Sequence, residues 1–469
     1  MDASTIAAIA TPDGFGGVGI IKISGPGAIS LASRVFRHGR RRETSGSFFS
    51  DPGEELASWR LYFGHVVDPE TSRIIDEVIL AVMRAPHSYT REDVVEIQAH
   101  AGPKVLYSIL EILLALGARP AQPGEFTRRA FINGRIDLTQ AEAVADLINA
   151  DSDAAVDMAV SQVSGGLSSV IDPVRDAVIS ALGHVEAAID FPDAAEEEIS
   201  SQGLIRALSE RVLEPAGELI GSYESGRFLR EGIRAVIAGG PNVGKSSLMN
   251  RLVNRERAIV TDIPGTTRDC IEASLRAGGV SVVLADTAGL RKDPEPIERL
   301  GIEKTREYID SADIVLFVVD ACAGVDCSDM DLYTQLPEGR RIVVVNKSDL
   351  SGCVERFEFP SAWEDSPRVY VSALTGEGID RLIAELADKA SGQSDLSRPE
   401  FVPNWRQKTQ LERLQRAVSC AVSGLELELS PELISIDLRE ALSALDEITG
   451  RYVEPDVLDR IFSTYCIGK

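Results

Sequence analysis

Nine consecutive residues carry the clearest chemistry in this chain: Gly239-Gly240-Pro241-Asn242-Val243-Gly244-Lys245-Ser246-Ser247. Glycines let backbone N–H groups curl around phosphate oxygens, and the N-terminus of the helix expected from the spacing of Ser247-Leu248-Met249-Asn250-Arg251-Leu252 adds its positive dipole end. In such a loop the lysine ammonium reaches the β- and γ-phosphates, and the Ser246 hydroxyl is a ligand for Mg²⁺. Three further loops stand in the order a guanine-nucleotide site requires. Asp286-Thr287-Ala288-Gly289 offers a carboxylate to Mg²⁺ through water and a glycine N–H to the γ-phosphate. Asn346-Lys347-Ser348-Asp349 offers the Asp349 carboxylate to N1–H and the amino group of guanine; adenine would leave it unpaired. Ser372-Ala373-Leu374 offers backbone N–H groups to guanine O6.

Between the first two lies Thr261-Asp262-Ile263-Pro264-Gly265-Thr266-Thr267, a switch-like loop in which Thr267 is the expected second hydroxyl ligand of Mg²⁺. Many GTPases place a glutamine directly after the second motif, but Leu290 stands there and cannot orient water. Glu298, further along the same segment, is the candidate for that task, against the plainer reading of a solvated helix carboxylate. Asn242 either shapes the phosphate loop or turns its side-chain oxygen to a monovalent cation.

Each of these loops must follow a strand. Ala235–Ala238, Val282–Ala285, Ile342–Val345 and Val369–Val371 are short apolar runs of the kind buried in a parallel sheet, with ligands at the strand ends. Before them, residues 1–134 read as mixed α/β, with strands over Gly16–Ile23, Val78–Met83 and Val94–Ile97 and a helix after Gly102-Pro103. The basic and then Ser/Gly-rich segment Arg37–Asp51 reads as a surface loop. Asp137-Leu138-Thr139-Gln140 resembles a capping box opening one long helix past Val160. Gly165-Gly166 interrupts the helical pattern, which resumes through Ile189; Ser391-Gly392-Gln393-Ser394 reads as a linker, after which helical patterns return, including Leu433–Thr449 with Gly450 as cap. Neither helical flank buries its apolar face alone, which predicts that residues 135–231 and 391–469 pack together around an inserted nucleotide domain at 232–390.

The chain has 469 residues, enough for about three domains, with an ordinary apolar fraction of 44%. A net charge of −25 excludes nucleic-acid binding by global attraction, so an RNA role needs a local basic patch or a partner's surface. No signal peptide or membrane-length apolar run is evident, which predicts a cytoplasmic protein. The six cysteines form no metal-ligand spacing, and reduced thiols are the simplest expectation.

The nucleotide motifs together with Tyr465-Cys466-Ile467-Gly468-Lys469 resemble the MnmE (TrmE) family of tRNA-modifying GTPases, and the resemblance spans the whole chain. It implies an α/β folate-binding N-terminal domain, a split all-α helical domain and an inserted Ras-like P-loop G domain. It further implies a homodimer whose G domains associate, with K⁺ held by Asn242, Thr261, Ile263 and Thr266 and water oriented by Glu298. The folate positions, for 5-formyltetrahydrofolate, fall on Lys22, Glu96, Arg135 and Lys469; arginine is more usual at position 22 and lysine at 135, so a bidentate contact is lost at position 22. Cys466 reads either as a packed small hydrophobe or as a nucleophile beside Lys469. The family's reaction, run with an FAD- and NADH-dependent MnmG-type partner, installs an aminomethyl or carboxymethylaminomethyl group at C5 of the tRNA wobble uridine. The resemblance leaves the nitrogen donor open between glycine and ammonium. Two other readings remain on the residues alone: a regulatory or ribosome-assembly GTPase switch without modification chemistry, and an N-terminal domain acting by itself as a folate-dependent aminomethyltransferase.

Overall fold

The structure, a computed structural model, describes residues 4–12, 14–38, 56–150, 152–191, 201–255, 272–277, 280–286, 309, 312–393 and 401–469. The chain forms two units. One comprises Met1–Ala145, Val163–Ile199 and Cys420–Lys469; the other comprises Asp146–Gln162 and Ser200–Ser419.

In the first unit, the strands are β1 (Ile6–Ile9), β2 (Gly16–Ser24), β3 (Phe36–His38), β4 (Arg60–Val67), β5 (Ile74–Met83), β6 (Val94–Ala101) and β7 (Arg119–Pro120). They make one sheet in the order β3-β4-β5-β6-β2-β1-β7. The alternation read from the sequence is what divides its two faces. Ile21, Ile23, Leu80, Val82, Val95 and Ile97 are buried beneath α1 (Ala28–Val35) and α2 (Pro103–Ala115), which contribute Leu31, Val35, Leu106, Ile109 and Leu113. Each such side chain contributes roughly 1.5–3 kcal/mol when fully buried. The intervening residues point the other way, and Lys22 and Glu96 are direct partners in the β2–β6 register. The segment beginning at Arg37 is partly strand, since β3 pairs Arg37 with His65 of β4; residues 39–55 lie outside the described residues.

The capping box at Asp137 is present in full. The Gln140 N–H donates to Asp137 Oδ1 at 2.9 Å, and the Asp137 N–H donates to Gln140 Oε1 at 3.0 Å. The single long helix expected after it is instead two, α4 (Leu138–Asn149) and α5 (Asp153–Val163), after α3 (Glu125–Ile132). Ser152 is the reason: its Oγ accepts the Ala155 N–H at 3.1 Å and its carbonyl accepts the Val156 N–H at 3.0 Å, a fresh N-cap.

Helices α6 (Gly166–Asp190), α7 (Ser201–Leu208), α8 (Glu214–Glu231) and α9 (Lys245–Arg255) follow, with a π-helical turn at Ser209–Leu213. Between Asp286 and Asn346 lies α10 (Cys327–Gln335), and after Leu374 come α11 (Ile379–Gln393), α12 (Trp405–Glu426), α13 (Pro431–Thr449) and α14 (Pro455–Ser463). Helix α11 continues through Ser391-Gly392-Gln393, where a linker is expected from the sequence, because its apolar period carries the helix into those residues. Within the first unit α6 and α13, which lie on opposite sides of the nucleotide motifs in sequence, are tied by Arg175 to Asp446 at 2.6 Å and Arg439 to Glu186 at 2.6 Å. Gly450 ends α13 at φ 82°, the left-handed cap the sequence predicts.

The second unit carries β8 (Ile233–Gly239), β9 (Glu272–Ala277), β10 (Val280–Asp286), β11 (Ile314–Asp320), β12 (Arg341–Asn346) and β13 (Arg368–Tyr370), in the order β13-β12-β11-β8-β10-β9. Only β9 runs antiparallel to its neighbour. Both faces of β8, β11 and β12 are covered, which is why these strands are continuous apolar runs. Among the described residues, no helix is long and apolar enough to cross a membrane.

Candidate functional site

The C-terminal ends of the parallel strands bring Gly239, Asp320, Asn346 and Tyr370 to one edge of the second unit's sheet. Two glycines in the phosphate loop are required by what surrounds them. A Cβ on Gly239, at φ 148°, would lie 2.2 Å from the Val318 carbonyl oxygen. A Cβ on Gly244, at φ 100°, would lie 2.2 Å from Asn346 Nδ2. Asn242 takes a left-handed φ of 62°, and it is exposed. The Lys245 ammonium folds across the loop onto the carbonyls of Gly239 at 3.0 Å and Gly240 at 2.6 Å. Ser246 and Ser247 stand exposed in the first turn of α9, and Val243 is buried below them.

Asn346 is 2% exposed and joins three motifs: its Nδ2 donates to the Val243 carbonyl at 2.8 Å and its Oδ1 accepts the Ala373 N–H at 3.0 Å. Lys347, at φ 66°, donates to Asp320 Oδ2 at 2.5 Å. Burial alone would push the Asp320 carboxyl up, but hydrogen bonds from Lys347 and the Cys322 N–H outweigh it and hold its pKa down. Ser348 donates its N–H to the Val371 carbonyl at 3.1 Å, and Asp349 is half-buried beside it. Ser372 is buried, its Oγ accepting the Thr375 N–H at 3.0 Å, while the Leu374 side chain is exposed.

Asp286 ends β10, aligned with Ile237 of β8. The remaining expected nucleotide and cation residues, Thr261, Asp262, Ile263, Pro264, Gly265, Thr266, Thr267, Thr287, Ala288, Gly289 and Glu298, lie outside the described residues.

One expectation is overturned here. Cys322 and Cys353 form a disulfide, so the cysteines are not all reduced thiols. They are 31 residues apart, in the loops that follow the neighbouring parallel strands β11 and β12, which bring their Cα atoms to 4.7 Å. That proximity is a product of sheet order, invisible in sequence spacing.

In the first unit a second constellation forms on the open face of the N-terminal sheet. Lys22 Nζ is 3.9 Å from Glu96 Oε1 and lies 5.5 and 5.4 Å from the ring centres of Tyr89 and Phe126. Burial lowers the Lys22 pKa; Glu96 opposes that shift and the Lys469 charge adds to it. The exposed Arg135 guanidinium stacks 4.7 Å from the Tyr89 ring and donates to the Tyr89 carbonyl at 3.0 Å. Burial raises the Tyr89 pKa, outweighing the opposing effects of its 3.0 Å hydrogen bond with Thr127 and of the Arg135 charge.

The tail reaches the same face. The Phe126 N–H, at the start of α3, donates to the Lys469 carbonyl oxygen at 3.1 Å, and the Gly124 N–H reaches the Cys466 carbonyl at 3.4 Å. Tyr465 is buried and donates to the Ala141 carbonyl at 2.6 Å, leaving Cys466 exposed. All four residues assigned to folate are thus brought together. Tyr89 and Phe126 have no signal in the sequence beyond being aromatic, and Asp320, the partner of Lys347, likewise sits in no motif.

Comparison with known proteins matches residues 5–135 to the family described as GTP-binding protein TrmE N-terminus and residues 138–466 to the MnmE helical domain. A tRNA modification GTPase MnmE of Symbiobacterium thermophilum is 47% identical over 470 residues, covering 100% of both chains. Proteins of the same description from Carboxydothermus hydrogenoformans and Natranaerobius thermophilus are 42% and 39% identical, again over 100% of both chains.

Proposed function

The chain belongs to the MnmE family of tRNA modification GTPases, and from that premise we propose that it is a K⁺-activated GTPase that, with a flavoprotein partner, adds an aminomethyl or carboxymethylaminomethyl group at C5 of the wobble uridine, the one-carbon unit coming from 5-formyltetrahydrofolate. The observation that carries the folate half is the meeting of Lys22, Arg135 and Lys469 with the rings of Tyr89 and Phe126 on one face. Stacking surfaces beside cations suit an aromatic heterocycle that ends in carboxylates. Glu96 supplies an acceptor for ring N–H groups.

In the nucleotide half, Lys245 exchanges the Gly239 and Gly240 carbonyls for phosphate oxygens, and Asp349 accepts from the guanine edge. The Ser246 hydroxyl, exposed at the opening of α9, fits an Mg²⁺ ligand, with Thr267 as the second. Asn242, exposed on a left-handed turn, fits a K⁺ ligand, completed by carbonyls of Thr261, Ile263 and Thr266. These cations would neutralise charge that develops on the transferred phosphoryl group. Glu298 orients the attacking water. Lys22, with one point charge, makes a single contact where a bidentate guanidinium would make two.

The protein acts as a cytoplasmic homodimer, and its partner of MnmG type carries FAD and NADH. With a net charge of −25, this chain leaves most of the basic tRNA surface to that partner. Cys466 is exposed on a tail whose backbone bonds to Gly124 and Phe126, which supports its reading as a nucleophile in the transfer.

Mass spectrometry of tRNA nucleosides tests the reading in strains carrying the wild-type chain, Lys245→Ala or Cys466→Ser. Loss of the wobble modification with Lys245→Ala is expected. Its persistence there would replace the modification reading with a switch that does no tRNA chemistry. Persistence with Cys466→Ser alone means that the exposed Cys466 thiol takes no part in the transfer.

A further inference from the structure

Arg251 lies in α9, the helix whose first turn receives the nucleotide phosphates, yet its side chain reaches the loop assigned to the base. Its Nε donates to the Ala373 carbonyl at 3.0 Å, and a second guanidinium nitrogen donates to the Leu374 carbonyl. The Ala373 N–H donates to Asn346 Oδ1 at 3.0 Å. Next along the chain is the Leu374 N–H, which has no acceptor among the described residues.

A trans peptide is planar, with its C=O and N–H pointing in opposite directions. Drawing the Ala373 carbonyl onto Arg251 therefore turns the Leu374 N–H of the same peptide the other way. We propose that Arg251 is a positioning residue for guanine recognition: it fixes the Ala373–Leu374 peptide so that the Leu374 N–H is presented to guanine O6. The guanidinium is planar and holds two carbonyls at once, which a single ammonium cannot do with the same geometry. One helix then sets both ends of the nucleotide site, the phosphates through Lys245 and the base through Arg251. The inference rests on the assignment of this edge as the guanine-nucleotide site.

The test is equilibrium binding of three diphosphates to the full-length wild type, Arg251→Met and Arg251→Lys. GDP has O6; IDP keeps O6 but lacks the amino group; 6-thio-GDP keeps N1–H and the amino group but puts a weak sulfur acceptor in place of O6. Arg251→Met should weaken GDP and IDP by the same factor, roughly tenfold for one hydrogen bond, and leave 6-thio-GDP almost unchanged. Arg251→Lys should fall between. Thermal melting without nucleotide monitors folding, and Arg251→Lys serves if Arg251→Met does not fold. Equal losses on all three nucleotides, or no loss on GDP, would overturn the proposal. If the wild type itself does not bind GDP, the assignment of the site fails first and the inference with it.

Discussion

Asn346 and Val243 are joined by a 2.8 Å hydrogen bond from the side-chain amide to the carbonyl that lies just before Gly244. The base-recognition loop and the phosphate loop are thereby one object. Asn346 has a second bond to the Ala373 N–H, so the third loop is included. Replacing Asn346 with alanine leaves a buried carbonyl and a buried N–H without partners, at about 1–3 kcal/mol each. GDP affinity should fall at least tenfold, read by calorimetry, with a lower melting temperature. Unchanged affinity would mean that the three loops hold their positions independently.

Gly244→Ala attacks the same junction from the other side. The added Cβ meets Asn346 Nδ2 at 2.2 Å and must occupy a φ of 100°. Nucleotide binding and GTP hydrolysis should drop by more than about a hundredfold, on the scale of two lost hydrogen bonds. Because the change is confined to a loop, far-ultraviolet circular dichroism should stay as in the wild type.

The ion pair of Lys347 and Asp320 gives a pH signature. The folded pKa of Asp320 is depressed, so its contribution is complete above the unfolded carboxylate range and is lost as pH falls through the lower folded value. Urea midpoints of wild type and Asp320→Asn should differ near neutrality and converge below about pH 4. A gap that persists in acid would assign the effect to packing.

Lys22 works in the opposite direction. Burial lowers its folded pKa, so the unfolded chain binds more protons and stability rises with pH between the folded and unfolded values. At neutral pH, where the charge is buried at a cost, Lys22→Met should raise the melting temperature. The same substitution should weaken 5-formyltetrahydrofolate about tenfold, the scale of one charge-assisted hydrogen bond. A fall in both quantities would show that Lys22 is mainly a structural partner of Glu96.

The disulfide closes the loops that follow β11 and β12. Cys353→Ser, compared with wild type under non-reducing conditions, should lose roughly 3 kcal/mol from the second unit, the chain-entropy scale for a closed loop of a few tens of residues. Denaturant titration followed by tryptophan fluorescence reads it, with Trp363 buried in this unit. Identical curves with and without reductant would show that the bridge adds no stability.

Much of this was legible in the sequence because local chemistry dictates it. Continuous apolar runs gave way to glycine turns at Gly239 and to motif residues at Asp286 and Asn346, and the strands end there. The capping box at Asp137 and the cap at Gly450 are local hydrogen-bond arrangements that their residue types specify. The second N-cap at Ser152 is hidden in the sequence because the apolar period continues across it. What could not be read was long-range proximity. Arg251 meets Ala373 across 122 residues, and Cys322 meets Cys353 only because β11 and β12 are neighbours. Tyr89 joins Lys22 and Arg135 through folding alone.

The tail described above has a consequence for how the protein is made. Tyr465 bonds to Ala141, a partner 324 residues earlier, and Phe126 waits for Lys469. At the usual pace of a ribosome, about 5–20 residues per second, the sheet that carries Lys22 and Glu96 emerges roughly 15 s to a minute before the residues that complete its open face. The N-terminal sheet can bury its core early, but its open face stays without these contacts until residues 465–469 have been made, so a chain shortened before them could fold that sheet and still lack the tail that reaches it.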